Sequence, residues 1–133
     1  MSKPHILIQL DPDTQPSVFD GVVAVDSGVE HLFRHGNVTP EEVRELIHGA
    51  MFTRGLKDLR HSAIFIGGSN VIRSETLLAQ VTGCFFGPMR VSVMFDPNGA
   101  NTTAAAAVLT AAQHVPLLGT EVVVLAATGP VGR

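Results

Sequence analysis

The sequence predicts an α/β fold with an open, mostly parallel sheet and helices on both faces, a Rossmann-like three-layer arrangement. Short apolar runs rich in β-formers alternate along the 133 residues with segments of helical periodicity. The turns between them carry Gly, Pro, Asn and Asp. Hydrophobic residues make up 45% of the chain and charged residues 16%, a balance that suits a sheet buried on both faces.

The first quarter of the chain contains one clear strand and one ambiguous segment. Residues 5–10 form an apolar run that ends at an Asp-Pro-Asp turn, as a strand does. Residues 16–26 could be either element, because their valines favour a strand while Thr14 followed by Pro16 indicates a helix start. We interpret this segment as a helix, and a short strand at about 30–33 follows Gly28.

The clearest helix signal begins at Thr39, where Pro40 suits the first helical position and Glu42 completes a capping box. The apolar residues that follow recur at helical spacing and form one stripe: Val43, Leu46, Ile47, Ala50 and Met51. This stripe is predicted to face the core.

The second half repeats the alternation. A buried strand at 63–66 ends at two glycines, and a helix begins at about Asn70 and ends before Gly83. The next strand, at 90–95, leads into an Asp-Pro-Asn-Gly loop, after which Asn101 is expected to cap an Ala-rich helix reaching about residue 114.

The last segment is predicted to begin a second unit. Gly119 starts an apolar strand that enters an A-x-G-x-x-G turn with Ala127 at the first Gly position, as in dinucleotide-binding units. We therefore expect two parts. Residues 1–115, with a linking helix at about 101–115, form an amino-terminal lobe, and residues 116–133 are the first strand and turn of an incomplete dinucleotide-binding domain.

Composition excludes several function classes. The net charge is −3, and nine scattered Lys and Arg form no basic stripe, so nucleic-acid binding is not expected. No apolar stretch reaches the roughly 20 residues of a membrane span, and the first apolar run is too short for a signal peptide, so we expect a soluble, cytoplasmic protein. Cys84 is the only cysteine, which leaves no disulfide or Cys-based zinc site. His31 and His35 could share a helix face but lack a third ligand, so no metal is assigned.

Ligands of open parallel sheets bind beyond the carboxyl ends of the strands. The polar, Gly-bearing loops that should lie there are 11–16, 36–39, 67–70 and 96–103. One composite site is therefore predicted. The alternative is that these loops are solvated turns and helix caps.

Several short motifs carry a family resemblance. In chain order they are PSVFD at 16–20, GNVTP at 36–40, TRG at 53–55, IFIGG at 64–68, FFGP at 85–88, DPNGANTTAAA at 96–106 and TGPVG at 128–132. This order resembles that of the NAD(P)-dependent methylene-tetrahydromethanopterin dehydrogenases of bacterial one-carbon metabolism. The resemblance covers essentially the whole chain, and the Asn-Thr-Thr-Ala-Ala-Ala run is its most specific element.

The resemblance implies reversible hydride transfer between NADP or NAD and the one-carbon bridge of a tetrahydromethanopterin-type reduced pterin. The bridge is a methylene on one side of the reaction and a methenyl cation on the other, and no metal is needed. It also implies a homo-oligomeric full-length enzyme, most of a dinucleotide-binding domain and a lysine beyond residue 133. The chain alone is then expected to be inactive.

The resemblance assigns roles to the loop residues. Asp20 would lie by the cation or a pterin nitrogen, and Thr103 with Thr102 would hydrogen-bond the pterin. The same pocket would be shaped by Ser17, Asn98 and Asn101. Dinucleotide contacts would come from Thr128, Gly129, Pro130, Val131 and Gly132.

Each role has a simpler alternative. Asn101 could be only a helix cap, Thr102 and Thr103 only first-turn residues, and Asp20 only a solvated carboxylate. At the level of the whole chain, the alternatives are a non-catalytic pterin-binding module and an unrelated α/β interaction domain.

Overall fold

A parallel sheet of four strands organises the chain. The computed structural model describes residues 3–125 and 127–132. Within them the strands lie in the order β2-β1-β3-β4, and every adjacent pair is parallel. Their bounds are β1 Ile6–Leu10, β2 His31–His35, β3 Ser62–Ile66 and β4 Ser92–Phe95. This sheet confirms the predicted α/β class.

Helices supply the crossovers that parallel strands require. Three of them connect consecutive strands: α1 Val18–Asp26, α2 Val43–Phe52 and α3 Val71–Gly83. A fourth, α4 Ala100–Ala112, follows β4. None of the helices in the described part of the chain is long and apolar enough to cross a membrane.

One face of the sheet carries the main core. Alternate side chains of β1 and β3 pack there against the apolar stripes of α2 and α3. The buried cluster includes Ile8, Leu10, Ile64 and Ile66 from the strands, and Val43, Ile47, Met51, Leu77 and Val81 from the helices. Burying each of these side chains contributes roughly 1.5–3 kcal/mol before conformational entropy is subtracted. The stripe predicted for α2 is therefore confirmed as a core face.

Helix α1 lies on the opposite face. Its buried residues are Gly21 and Ala24, and a Cβ added at Gly21 would lie 3.3 Å from Leu32 Cδ2. On the same side, the buried Gln9 side chain donates to Ser17 O at 3.3 Å and accepts from Arg34 Nε at 3.0 Å. Because helices cover both faces, the architecture has three layers, as predicted.

The ambiguous segment is a helix, as we interpreted it, but it starts later than Thr14 suggested. Ser17 is the N-cap, and its hydroxyl oxygen accepts from the Asp20 N–H at 3.3 Å. In α2, Glu42 Oε2 accepts from the Thr39 N–H at 2.9 Å, which is half of the predicted capping box. Residues 40–42 form a turn, so the regular helix begins only at Val43.

The strand predicted after Gly119 is wrong for the described residues. Residues 120–124 have no regular secondary structure, and Val123 is 84% exposed. A strand is stable only where its backbone pairs with a neighbour, and no described strand lies alongside this segment. Local β-propensity therefore does not produce a strand here.

Candidate functional site

A pocket opens where β1, β3 and β4 end. Its volume is about 370 Å³. The loops after these strands line it together with the start of α1 and the first turn of α4, through Asp11, Asp13, Gln15, Ser17, Phe19, Asp20, Gly68, Ser69, Asp96, Asn98, Gly99 and Thr102. Four of the six predicted substrate-side residues are among them: Ser17, Asp20, Asn98 and Thr102. Loop 36–39 does not line the pocket.

Loop 36–39 instead holds the loop between β1 and α1 in place through backbone hydrogen bonds. The Asn37 N–H donates to Asp13 O at 2.7 Å, and the Val38 N–H donates to Asp11 O at 3.0 Å. Gly36 approaches so closely that any side chain there would collide with Thr14 O. This loop therefore fixes the shape of one pocket wall without contacting the pocket.

The β1–α1 loop is also tied to the loop after β3. Asp13 Oδ2 accepts from the Ser69 N–H at 2.7 Å, and the Arg73 guanidinium donates to Pro12 O at 2.8 Å. Gly68 has φ +106°, and a Cβ there would lie 2.7 Å from Pro12 Cδ. Only glycine can adopt this backbone and leave room for the proline.

Asp11 lies at the bottom of this arrangement and is 1% exposed. Its Oδ1 accepts from the Asp13 N–H at 2.8 Å. Burial raises the pKa of the Asp11 carboxyl above its usual value. Hydrogen bonds from the Asp13 and Ser17 backbones oppose the rise, and the carboxylates of Asp13 and Asp20 add to it.

The loop after β4 is shaped by a left-handed turn. Asn98 and Gly99 have φ values of 53° and 63°, and the Asn98 N–H donates to Gly68 O at 2.8 Å. The turn brings α4 back toward Asp96, whose Oδ1 accepts from the N–H groups of Asn101 at 2.8 Å and Thr102 at 3.1 Å. Asp96 therefore caps α4.

The predicted cap at Asn101 is consequently wrong, because Asn101 lies inside the first turn of a helix that starts at Ala100. Its Nδ2 donates to Phe95 O at 2.6 Å, which holds the side chain at the end of β4. The Asp96 carboxylate already occupies the backbone donors that an N-cap would satisfy.

Thr103 is exposed and does not line the pocket, although it lies close by. A Cβ added at Gly99 would lie 3.9 Å from the hydroxyl oxygens of both Thr102 and Thr103. The Thr102 hydroxyl lies 2.7 Å from Asp96 Oδ2 and donates to it. The Thr103 hydroxyl makes no hydrogen bond within the described part of the chain, so it is available to a ligand.

The pocket is acidic. Four carboxylates line it, those of Asp11, Asp13, Asp20 and Asp96, and no Lys, Arg or His is among the lining residues. Such a pocket suits a ligand that is cationic or rich in N–H donors. The loops were predicted as a site, but Asp11, Asp13 and Asp96 were not singled out in them. Their sequence signal is that Asp11 directly follows β1, with Asp13 two residues later, and that Asp96 directly follows β4.

A larger, mostly apolar groove of about 590 Å³ lies between β2 and α2. His31 and His35 both line it, and they lie on a strand rather than on the helix face considered for them. Among residues 3–125 and 127–132, no three His, Cys, Asp or Glu side chains are grouped so that they could hold a metal ion.

The predicted dinucleotide turn adopts a turn conformation. The Gly132 N–H donates to Gly129 O at 3.2 Å. Residues 128–132 do not line the acidic pocket. Their role in binding a dinucleotide stays a prediction.

Comparisons with known proteins agree with one another. The family model described as "Methylene-tetrahydromethanopterin dehydrogenase, N-terminal" matches residues 18–98. "Bifunctional protein MdtA" of Methylorubrum extorquens is 48% identical over 130 residues, which cover 96% of this chain and 45% of that protein. "NAD(P)-dependent methylenetetrahydromethanopterin dehydrogenase" of the same organism is 32% identical over 103 residues, which cover 77% of this chain and 35% of that protein. The chain thus spans less than half the length of these curated relatives.

Proposed function

The chain belongs to the family of methylene-tetrahydromethanopterin dehydrogenase N-terminal domains, and we propose that it forms the pterin-binding side of a hydride-transferring enzyme. The observation that carries the proposal is the acidic pocket, which gathers Ser17, Asp20, Asn98 and Thr102 at the carboxyl edge of the sheet. The substrate would be a tetrahydromethanopterin-type reduced pterin, and the hydride acceptor NADP or NAD.

The reaction breaks one C–H bond at the methylene bridge of the pterin. Hydrogen leaves with both electrons and bonds to the oxidised nicotinamide, which becomes neutral, while the bridge becomes a methenyl cation. No proton is released and no metal is required. The protein has to hold the two rings in contact and stabilise the new positive charge.

The electrostatics of the pocket match that demand. Asp20, in the first turn of α1, is half-buried and faces the pocket. A carboxylate there attracts the cationic bridge more strongly than the neutral one, so it stabilises the charge that develops during transfer. Asp20 is the residue that we place beside the one-carbon unit.

The threonines have different roles in this proposal. Since the Thr102 hydroxyl donates to Asp96, Thr102 acts mainly by positioning the start of α4. The Thr103 hydroxyl is free of hydrogen bonds in the described residues and would donate to the pterin. Ser17 and Asn98 offer further polar atoms at the pocket wall, and Asn101 would shape it indirectly through Phe95 O.

For the dinucleotide, we propose that residues 116–133 belong to a second unit, next to an amino-terminal lobe of residues 1–115. The turn formed by Thr128, Gly129, Pro130, Val131 and Gly132 would hold the pyrophosphate through backbone N–H groups of its residues other than Pro130. The nicotinamide bound by such a unit would accept the hydride. A homo-oligomeric assembly and a cytoplasmic location stay predictions that sedimentation and cell fractionation would test.

Calorimetric titration tests the proposal directly. The folded chain should bind methenyl-tetrahydromethanopterin, and Asp20→Asn should weaken this binding at least fivefold. Asp26→Asn provides a matched control, because Asp26 lies at the other end of α1 and does not line the pocket. Failure of the folded wild-type chain to bind the pterin would contradict the proposal.

A second candidate is a non-catalytic pterin-binding module, which is favoured by the position of residues 128–132 outside the pocket. Titration with NADP and NAD separates the two. A module would bind the pterin alone, whereas a dehydrogenase part would contribute to binding of the dinucleotide as well.

A further inference from the structure

We propose, on the basis of the function proposed above, that Asp11 is a positioning residue of the pterin pocket that acts through Ser17 and Asp20. Its buried carboxylate fixes the start of α1 and makes the pocket prefer the cationic methenyl pterin over the neutral methylene form. Neither the family resemblance nor the site predicted from the sequence assigned a role to this residue.

The first support is a chain of contacts from Asp11 to Asp20. The Asp11 carboxylate accepts the Asp13 N–H at 2.8 Å and a second backbone hydrogen bond from Ser17. Ser17 in turn caps α1, and its hydroxyl oxygen accepts the Asp20 N–H at 3.3 Å. A change at Asp11 would therefore alter the position of Asp20, which we place beside the one-carbon unit.

The second support is the space around Gly67, at the end of β3. A Cβ added there would lie 3.3 Å from Asp11 Oδ2 and 3.7 Å from Asp20 Oδ2. Both carboxylates therefore approach the same side of this glycine, and no side chain of Gly67 separates them. The charge of Asp11 acts on Asp20 at short range, in a partly desolvated place where screening by water is weak.

The third support is the lack of a compensating cation. The carboxylates that act on Asp11 are those of Asp13 and Asp20, and no Lys, Arg or His is among the residues that line the pocket. The guanidinium groups of Arg34, on β2, and Arg73, on α3, donate to the carbonyl oxygens of Pro16 and Pro12. A cationic ligand would offset the repulsion among these carboxylates, whereas a neutral ligand would not.

A simpler role for Asp11 is purely structural, as an acceptor that ties its own loop. Asparagine keeps an acceptor oxygen and the size of the side chain but has no charge. Replacing a purely structural residue would change the affinities for both forms of the pterin equally. The ratio of the two affinities would then stay the same.

The test is calorimetric titration of the wild-type chain, Asp11→Asn and the control Asp26→Asn with methenyl- and methylene-tetrahydromethanopterin between pH 5 and pH 8. The wild type and the control should bind the methenyl form more tightly. In Asp11→Asn the ratio of the two affinities should fall about fivefold, as expected when one nearby charge is removed from a partly screened pocket. This ratio should also depend less on pH in Asp11→Asn than in the wild type.

Each result bears on one claim. An unchanged affinity ratio in folded Asp11→Asn would overturn the role of Asp11 and leave the proposed function intact. Binding of neither pterin by the wild type would instead contradict the proposed function. If Asp11→Asn does not fold, Ser17→Ala interrupts the same chain of contacts, and an unchanged ratio in that variant would overturn the inference equally.

Discussion

The Thr102 hydroxyl donates a 2.7 Å hydrogen bond to Asp96 Oδ2, while the Thr102 N–H donates to Oδ1 of the same carboxylate at 3.1 Å. This pair joins the first turn of α4 to the end of β4. Most other residues of α4 are exposed, so the helix has little packing to hold it. The position of the pocket wall formed by α4 therefore depends on Asp96.

Replacing Asp96 with Ala should lower the free energy of unfolding by about 1–2 kcal/mol, because the first N–H groups of α4 lose their acceptor. Urea denaturation measures this difference. The control Asp26→Ala, at an exposed position with no capping bond, should stay within about 0.5 kcal/mol of the wild type. Equal stability of the two variants would contradict the capping role.

Thr103→Val and Thr102→Val should have different effects. Thr103→Val should leave stability unchanged and weaken pterin binding about five- to tenfold, because it removes one donor that the protein itself does not use. Thr102→Val should lower stability by about 1 kcal/mol, because the bond to Asp96 is lost. Denaturation and pterin titration on both variants check this pair. Wild-type affinity in Thr103→Val would remove that residue from the site.

Gly68→Ala should destabilise the chain by more than about 2 kcal/mol, because φ is +106° and the new Cβ would lie 2.8 Å from Ser74 Oγ. Gly49→Ala is the matched control. Gly49 lies inside α2 with no atom within 4 Å of an added Cβ, so alanine should stabilise by about 0.5–1 kcal/mol. Thermal unfolding of both variants measures the contrast, and shifts of the same sign would contradict it.

Asp11 should make stability depend on pH in a defined direction. Burial raises its folded-state pKa above 3.8, so the folded chain binds this proton more tightly than the unfolded chain does. The resulting stabilisation is fully present below pH 3.8 and is lost as the pH rises through the raised pKa. Asparagine carries no such proton.

The stability of Asp11→Asn relative to the wild type should therefore increase between pH 4 and pH 7. Urea denaturation of both proteins at pH 4 and pH 7 measures how the difference in their free energies of unfolding changes with pH. If it were constant or decreased, the direction inferred for the pKa of Asp11 would be wrong.

Strands β1 and β3 were predictable because they are largely buried and appear as short apolar runs. The runs at 5–10 and 63–66 lie within one residue of β1 and β3. Helix α1 was harder, because many of its valines are exposed and follow no clear stripe. The N-cap at Ser17 fixes where this helix begins. A serine directly before a run of apolar residues is a helix-start signal that can be recognised in the sequence.

Other features depend on contacts between distant residues. The strand expected after Gly119 needed a pairing partner, which no local pattern can supply. Asn101 has the side chain of a helix cap, yet the carboxylate of Asp96, five residues earlier, reaches the same donors through the left-handed turn at Asn98 and Gly99. Backbone geometry of this kind is not visible in residue types alone.

The position of the candidate pocket was predictable, since parallel strands present their carboxyl ends at one edge. The burial of Asp11 was not predictable, because an acid followed by Pro12 has the composition of an ordinary exposed turn. Its burial arises from three loops that close over it, held by Asp13, Ser69 and Asn37. Only the assembled fold brings them together.

The exposed apolar segment before the Gly-bearing turn has a practical consequence for work with this chain in isolation. Val122, Val123, Val124 and Leu125 combine high β-propensity with exposed side chains and no charge. The outer edges of β2 and β4 are unpaired in the four-stranded sheet. An exposed apolar segment and two unpaired strand edges on one molecule favour β-pairing between molecules. Aggregation should therefore increase with protein concentration, and Val123→Lys should suppress it.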